Sequence, residues 1–387
     1  MSIPKIRDMK QFIIAMLVIA VQLGQPVLCG CGAAAQGLDT SADALLRKPS
    51  LKILHLGHSF TFDAVSYLQL IVESTGADVS DLCIYRTMLG GASFKDWVDT
   101  YNDGYPWQDY QIVKVIGGID AGIATGTANG SDGSLLRQAL TGEQWDIIFI
   151  NPSTSASPYY ERWAGNSADG YLNELLAILK KHQPRATIGL MLLHSYAGSY
   201  ADNTERSSLK RWKLIAQSVE QCCRDYGIGL VLPYGTAVQN LRASSLNNEA
   251  DLTSDGAHCE YVLTRYAASC CYYQAIIAPR TGIPVTRDRT RINKKWIQSS
   301  TPMVSVDDHT APIAQKAAML AVESPSRCIN PETGIAVGTD TPCTAPDMSS
   351  TGTSRNREAG VYDLHGRRLS GAPVRGMYVK DGRKHVR

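Results

Sequence analysis

Between residues 50 and 280 short apolar runs alternate with segments whose apolar residues recur every three or four positions. Leu51 to Leu56 is apolar apart from Lys52 and His55 and stops at Gly57, which predicts a strand. Phe62, Val65, Leu68, Ile71 and Val72 follow at helical spacing, predicting a helix over 62–75. Leu82 to Tyr85 predicts a second strand and Asp146 to Ile150 (DIIFI) a third, with a helix over 134–140 before it. A helix over 171–181, a buried strand over 186–193 (ATIGLMLL), a long helix over 205–226, a strand over 228–232 and a helix over 260–277 complete the series. Gly227 stands where a helix C-terminus needs a left-handed residue. Strands that are apolar throughout, separated by amphipathic helices, imply a parallel sheet covered on both faces. Such sheets bind ligands at the carboxyl ends of their strands, so chemistry is expected just after each strand.

Residues 94–133 break this rhythm. They are rich in Trp, Tyr, Gly and Asp, and predict an insertion near the mouth of the site, with Gln111 to Ile116 as an extra strand or hairpin. Six glycines lie between Gly117 and Gly133, but no G-x-x-x-x-G-K-[ST] occurs there. The segment reads as a loop and not as a nucleotide cradle. Residues 281–326 predict an extension that packs back on the 50–280 domain, with a helix-like segment over 313–322. Residues 327–359 turn to Thr, Ser, Pro and Gly and read as a linker. Cys328 and Cys343 flank a loop there, either as a pair or as two free thiols. The tandem Cys222-Cys223 and Cys270-Cys271 sit inside predicted helices and read as small buried hydrophobes.

The two ends have their own patterns. Lys5, Arg7 and Lys10 precede ten apolar residues, Phe12 to Val21, a run too short to span a bilayer comfortably but suited to an export signal. Residues 1–35 are therefore expected to direct export. Leu28-Cys29-Gly30-Cys31 resembles a bacterial lipoprotein box with Cys31 as the acylated residue, and Ala33-Ala34-Ala35 offers an ordinary cleavage site instead. At the other end, residues 360–387 predict two hairpins turned at His365-Gly366 and Asp381-Gly382. They resemble the short C-terminal β segment of many exported Bacteroidetes proteins, a resemblance that implies sorting or anchoring.

Composition narrows the function. Of 387 residues 38 are basic and 36 acidic, for a net charge of +2, and no basic block stands out, so no nucleic-acid partner is expected. Hydrophobic residues make up 44%, enough for an ordinary core. Ten cysteines without a C-x2-C pair argue against a zinc ribbon or finger.

The candidate chemistry follows the strands. Gly57-His58-Ser59-Phe60 puts a serine between a strand end and a helix head, where backbone N–H groups and a partial positive charge suit a developing oxyanion; N-capping uses the same residues. Asp255-Gly256-Ala257-His258 lets a carboxylate hold one imidazole nitrogen while the other acts as a base, or makes Asp255 a helix cap. Gly90-Gly91 and Asn151 offer donors for an oxyanion hole, or turn chemistry. His194 follows a strand and is a candidate to line the same crevice.

Taken together, these blocks resemble the SGNH (GDSL-type) hydrolase superfamily over roughly residues 50–280. KILHLGHSFT, GGASF, WDIIFIN and SDGAH are similar to an SGNH-like branch common in gut Bacteroidetes. The resemblance implies an α/β protein, a three-layer α/β/α sandwich with a flavodoxin-like parallel sheet, to which the C-terminal β appendage is added. It implies Ser59 as nucleophile, His258 as base, Asp255 as its orienter, and Gly91 and Asn151 as oxyanion donors, with Gly90 the alternative to Gly91. Two positions depart from the superfamily pattern. His58 stands where Asp or Asn is usual, and Phe149 where a glycine precedes the Asn by two. The resulting expectation is an exported serine esterase of the periplasm or cell surface, lipid-anchored if Cys31 is acylated. Its expected partner is a small-molecule or glycan ester, O-acetylated carbohydrate above all, and no metal or organic cofactor is implied. An acyltransferase with the same residues and a non-catalytic glycan-binding protein are the rival expectations. Trp97, Tyr101, Tyr105, Trp107 and Tyr110 are candidates to stack on sugar rings or to pack a core.

Overall fold

The computed structural model describes residues 40–102, 110–128, 134–164 and 170–338, and four short strands between 361 and 386. Outside the described residues lie the segment 1–35 with Cys31, the residues Tyr105, Trp107 and Cys343, most of the 327–359 segment and both C-terminal hairpin turns.

The apolar runs form strands as their patterns require. β1 (Leu51–Leu56), β5 (Ile147–Ile150) and β6 (Thr187–Met191) lie side by side, and all four residues of β5 are buried. With β2 (Leu82–Met88), β3 (Tyr110–Gly117), β4 (Gly126–Ala128) and β7 (Leu230–Leu232) they make one sheet in the order β4-β3-β2-β1-β5-β6-β7. The five strands from β2 to β7 are parallel. The sheet is nevertheless mixed and not wholly parallel. β3 starts opposite the last residue of β2, with Gln111 paired to Met88, so it must run back, and β4 pairs antiparallel with it. β3 alternates between buried and accessible positions, as an antiparallel strand covered on one face does.

Helices cover the sheet on both faces, a three-layer α/β/α arrangement. Helices α1 (Ser59–Val65), α2 (Leu68–Thr75), α7 (Tyr234–Arg242), α8 (Leu263–Tyr272) and α9 (Thr310–Glu323) pack together. Helices α3 (Phe94–Tyr101), α4 (Ser134–Thr141) and α5 (Leu172–His182) form a second group. The long α6 (Ser208–Tyr226) is capped by Ser207 and ends at Gly227, which takes φ +65°.

The single helix expected over 62–75 is two. α1 stops before Ser66, whose hydroxyl bonds back to Phe62 O at 2.8 Å, and Tyr67 N donates to Ser269 Oγ of α8 at 3.0 Å. The break changes the helical phase, so Phe62, expected in the buried stripe, is 36% exposed. The helix expected over 260–277 starts at Leu263 and passes into a π-helical turn at Tyr273–Ile277. Cys222, Cys270 and Cys271 are buried, and the seven described cysteines are free thiols. No helix among the described residues is long and apolar enough to cross a membrane.

The chain divides into two compact units, residues 1–338 and 339–387. The second holds β8 (Val361–Tyr362), β9 (Arg368–Leu369), β10 (Met377–Lys380) and β11 (Arg383–Val386), an antiparallel sheet in the order β11-β10-β8-β9.

Candidate active site

β1 delivers the chain to Gly57, and close approach there requires glycine. A Cβ at Gly57 would lie 2.0 Å from Thr61 Oγ1 and 2.7 Å from Asn151 Oδ1. Gly57 N donates to Thr87 Oγ1 at 3.1 Å, and that hydroxyl donates to His55 O at 2.9 Å, which ties the ends of β1 and β2 together. His58 then caps α1 from an extended conformation: its Nδ1 accepts from Phe60 N at 3.3 Å, and its Nε2 meets Pro152 O at 3.0 Å. Nε2 therefore carries the ring proton. Burial drives the imidazole down to about 4, so it stays neutral. In the place where a superfamily Asp or Asn is usual, His58 works as an N-cap.

Ser59 is the first residue of α1, and its Oγ lies 2.8 Å from His258 Nε2. His258 comes from a tight loop closed by a bridge between Thr253 and Cys259, with Ser254 N donating to His258 O at 3.0 Å. Gly256 turns this loop at φ +88°, packed against the Tyr200 ring. Within the loop Asp255 Oδ1 accepts from the backbone N of Ala257 at 2.9 Å and of His258 at 2.7 Å, and Oδ2 meets His258 Nδ1 at 2.7 Å. Partial burial opposes the Asp255 charge, but the bonds from the His258 backbone and ring outweigh it and hold the carboxyl below its ordinary value. An ionised acceptor at Nδ1 places the ring proton there and turns the Nε2 lone pair to the Ser59 hydroxyl.

Residues beneath the loop fix where His258 sits. Cys259 N, the next amide after His258, donates to Asp63 Oδ2 at 2.9 Å, and Asp63 Oδ1 pairs with Arg265 at 2.8 Å. Asp63 belongs to α1, one turn after Ser59, so it joins the helix of the serine to the loop of the histidine. Burial raises its carboxyl to about 6 against the pull of Arg265. Asp63 escaped the sequence analysis because a lone acid in a helix reads as a surface residue. The signal available was its spacing of four from Ser59 in a helix with few other polar residues.

His194 does not line the crevice. It is 1% exposed, stacks on Phe60 at 4.0 Å, and holds the loop through Nε2 to Ala257 O at 2.8 Å and Nδ1 to Tyr234 OH at 3.3 Å. Donor atoms of Asp63, His194 and Cys259 lie within 4.8 Å of one another. Their engagement with Arg265, Cys259 N, Ala257 O and Tyr234 makes this set a poor fit for a metal ion.

The expected oxyanion donors sit at neighbouring strand ends. Leu89 N donates to Gly57 O at 3.3 Å, and the exposed Gly90-Gly91 turn follows, with Gly91 at φ +66°. Asn151 is buried; its Oδ1 accepts from Thr61 Oγ1 at 3.1 Å, while its Nδ2 has only a 3.5 Å contact to Pro152 O. Among the described residues no hydrogen bond links either of them to Ser59, Asp255 or His258. Phe149, the second departure, finds its room on the next strand: it pairs with Gly189, where a Cβ would press 2.6 Å from the Phe149 ring.

At Trp97 and Tyr110 the aromatic insertion packs a core and offers no sugar platform. Trp97 and Tyr110 are buried and meet edge-on at 6.1 Å. Tyr101 OH bonds His182 Nε2 at 2.7 Å.

A family model described as a domain of unknown function, DUF4886, matches residues 52–295, more than half of the chain, and the chain belongs to that family. A solved DUF4886 family protein from Bacteroides uniformis is 23% identical, with 72% of this chain and 96% of that one covered and a TM-score of 0.53, and it shares the fold. A proposed SGNH hydrolase from Slackia heliotrinireducens is 17% identical, with 60% of this chain and 99% of that one covered and a TM-score of 0.35. No curated protein matches.

Proposed function

We propose that this member of the DUF4886 family is a serine esterase of the SGNH type that removes O-acyl groups, acetyl above all, from carbohydrate. One observation carries the reading: the unbroken chain from Ser59 Oγ to His258 Nε2 and from His258 Nδ1 to Asp255, at 2.8 and 2.7 Å. Ser59 attacks the ester carbonyl as His258 Nε2 takes its proton, and Asp255 steadies the imidazolium so formed. The oxyanion lies at the head of α1, where first-turn amides lack intrahelical acceptors; the Ser59 N–H, Gly91 N–H and Asn151 Nδ2 are its donors. His258 then returns the proton to the departing sugar oxygen, and water, deprotonated by the same nitrogen, releases the acid. The reading extends to location. The charged segment and apolar run within 1–35 support export to the periplasm or cell surface, and Cys31 supports a lipid anchor.

Labelling by a fluorophosphonate probe, together with turnover of acetylated sugars, tests it. Wild type should label and hydrolyse, and Ser59→Ala should do neither. His258→Ala should lose nearly as much activity, and the double variant scarcely more, because the two residues act as one unit. Folded wild type that neither labels nor hydrolyses any ester would remove the esterase reading.

A further inference from the structure

Helix α1 shows solvent only two of its seven residues, Ser59 and Phe62. Three apart on a helix, their Cβ atoms are about 5–6 Å from each other, so a ligand seated on Ser59 has the Phe62 ring as its neighbour. Two guanidinium groups flank that ring: Arg86 at 4.9 Å from its centroid and Arg265 at 5.1 Å. They differ in one respect. Arg265 has a counter-charge, Asp63, at 2.8 Å.

Arg86 has none. It lies on β2 two residues before the strand's end and is 8% exposed. Among the described residues nothing accepts a hydrogen bond from it, and its Nη1 is closed off from water without a partner. Its neighbour across the β1–β2 register is His55, which burial and the Arg86 charge drive down to about 3. His55 is therefore neutral and supplies no negative charge. A guanidinium carries five donors and stays charged at any physiological pH. Shutting one of its nitrogens from water without an acceptor is costly, and the face of Phe62 is only partial compensation.

We propose that the substrate supplies the missing acceptor. The ester-bearing molecule carries an anionic group, a carboxylate as on an acidic sugar, which docks beside Phe62 against Arg86, one helical turn from Ser59. A carboxylate matches the Nε/Nη2 edge of a guanidinium with two parallel hydrogen bonds, and those two nitrogens of Arg86, unlike Nη1, are not closed off from water. The charge of Arg265 strengthens the same positive edge, while Asp63 remains beneath it on the buried side of α1. This assignment rests on the reading of Ser59 as the nucleophile.

Two measurements on the full chain test it. The first compares kcat/KM on an O-acetylated methyl glucuronoside and on the matching O-acetylated methyl glucoside. The acidic ester should be favoured about tenfold or more, the scale of one charge-assisted hydrogen bond, and Arg86→Gln should erase that ratio, chiefly through KM. The second titrates wild type with glucuronate, glucose and sulfate at constant ionic strength, and so survives an Arg86→Gln protein that does not fold. Glucuronate should bind, glucose should not, and sulfate should bind less well. Hydrolysis of both esters without preference, with no glucuronate binding, overturns the anion site and leaves the esterase reading intact. Glucuronate binding without hydrolysis of either ester keeps the anion site and removes the esterase. Sulfate binding as tightly as glucuronate, or more tightly, overturns the carboxylate assignment.

Discussion

Gly57→Ala places one methyl group where the structure has no room for it. The added Cβ would sit 2.0 Å from Thr61 Oγ1, and an ordinary contact is 3.4 Å or more, so the head of α1 must retreat by about 1.4 Å or Thr61 must rotate away. Rotation breaks its 3.1 Å bond to Asn151 Oδ1, which holds the carboxamide in place. Retreat carries Ser59 away from His258, from which it is now 2.8 Å distant. Either response strains a packed region, and overpacking of this kind costs about 1–3 kcal/mol. The larger effect falls on catalysis, since a misplacement of about 1 Å in a reacting group costs on the order of 10²-fold. Gly57→Ala should therefore lower kcat on an acetylated sugar by about 10²-fold, change KM little, and lower Tm by several degrees in calorimetry. Adding Thr61→Ala removes the nearest atom and should recover part of the Tm. Gly57→Ala with wild-type kcat and Tm would refute the reasoning, because the helix carrying Ser59 would then not be pinned by this contact.

Burial lifts the Asp63 carboxyl from 3.8 to about 6, so over that interval the folded protein holds a proton the unfolded chain has released. Stability should thus fall by about 2–3 kcal/mol as pH rises from about 4 to about 6, and Asp63→Asn should flatten that part of a urea-midpoint profile; an unchanged slope would exclude Asp63 as its source. Trp97→Ala should cost about 3–5 kcal/mol of stability with KM unchanged, since the ring is buried against Tyr110; a raised KM at full stability would return it to the binding surface. Tritiated palmitate should label the full chain in membrane fractions, and Cys31→Ser should abolish the label; unlabelled cytoplasmic protein with an intact N-terminus would refute export and anchoring.

The strands were legible because a doubly covered strand has to be nearly all apolar, as IIFI (147–150) and GLMLL (189–193) are. The meeting of Ser59, Asp255 and His258 was legible because each lies close to a glycine outside the strands, Gly57 at the end of β1 and Gly256 in the turn between α7 and α8. Helix α7 was not, and the reason is physical: all nine of its residues are buried, and its polar side chains Thr236 and Asn240 bond to Pro325 O and Ala317 O instead of facing water. The reversal of β3 also left no trace in its residues, which fix a strand but not its direction. Phe62 misled for a third reason. Its spacing matches the apolar stripe of an unbroken helix, and only the kink at Ser66 and Tyr67, held by Ser269 from far along the chain, turns the ring outward. Asp63 and Arg86 take their meaning from partners that are present or missing in three dimensions, which no local pattern records.

The Ser59–His258 bond joins residues 199 apart, and the Asp63–Cys259 bond beneath it joins residues 196 apart. Loop-closure entropy makes contacts of such long range late events in folding. Ser59 is made near the start of the domain and His258 near the end, with the middle strands of the sheet between them. A nascent or partly folded chain consequently carries a serine of ordinary reactivity. Esterase activity should then appear in step with the last cooperative phase of refolding, after helical signal has already risen, and an early fragment ending before residue 250 should have none however well its first strands pair.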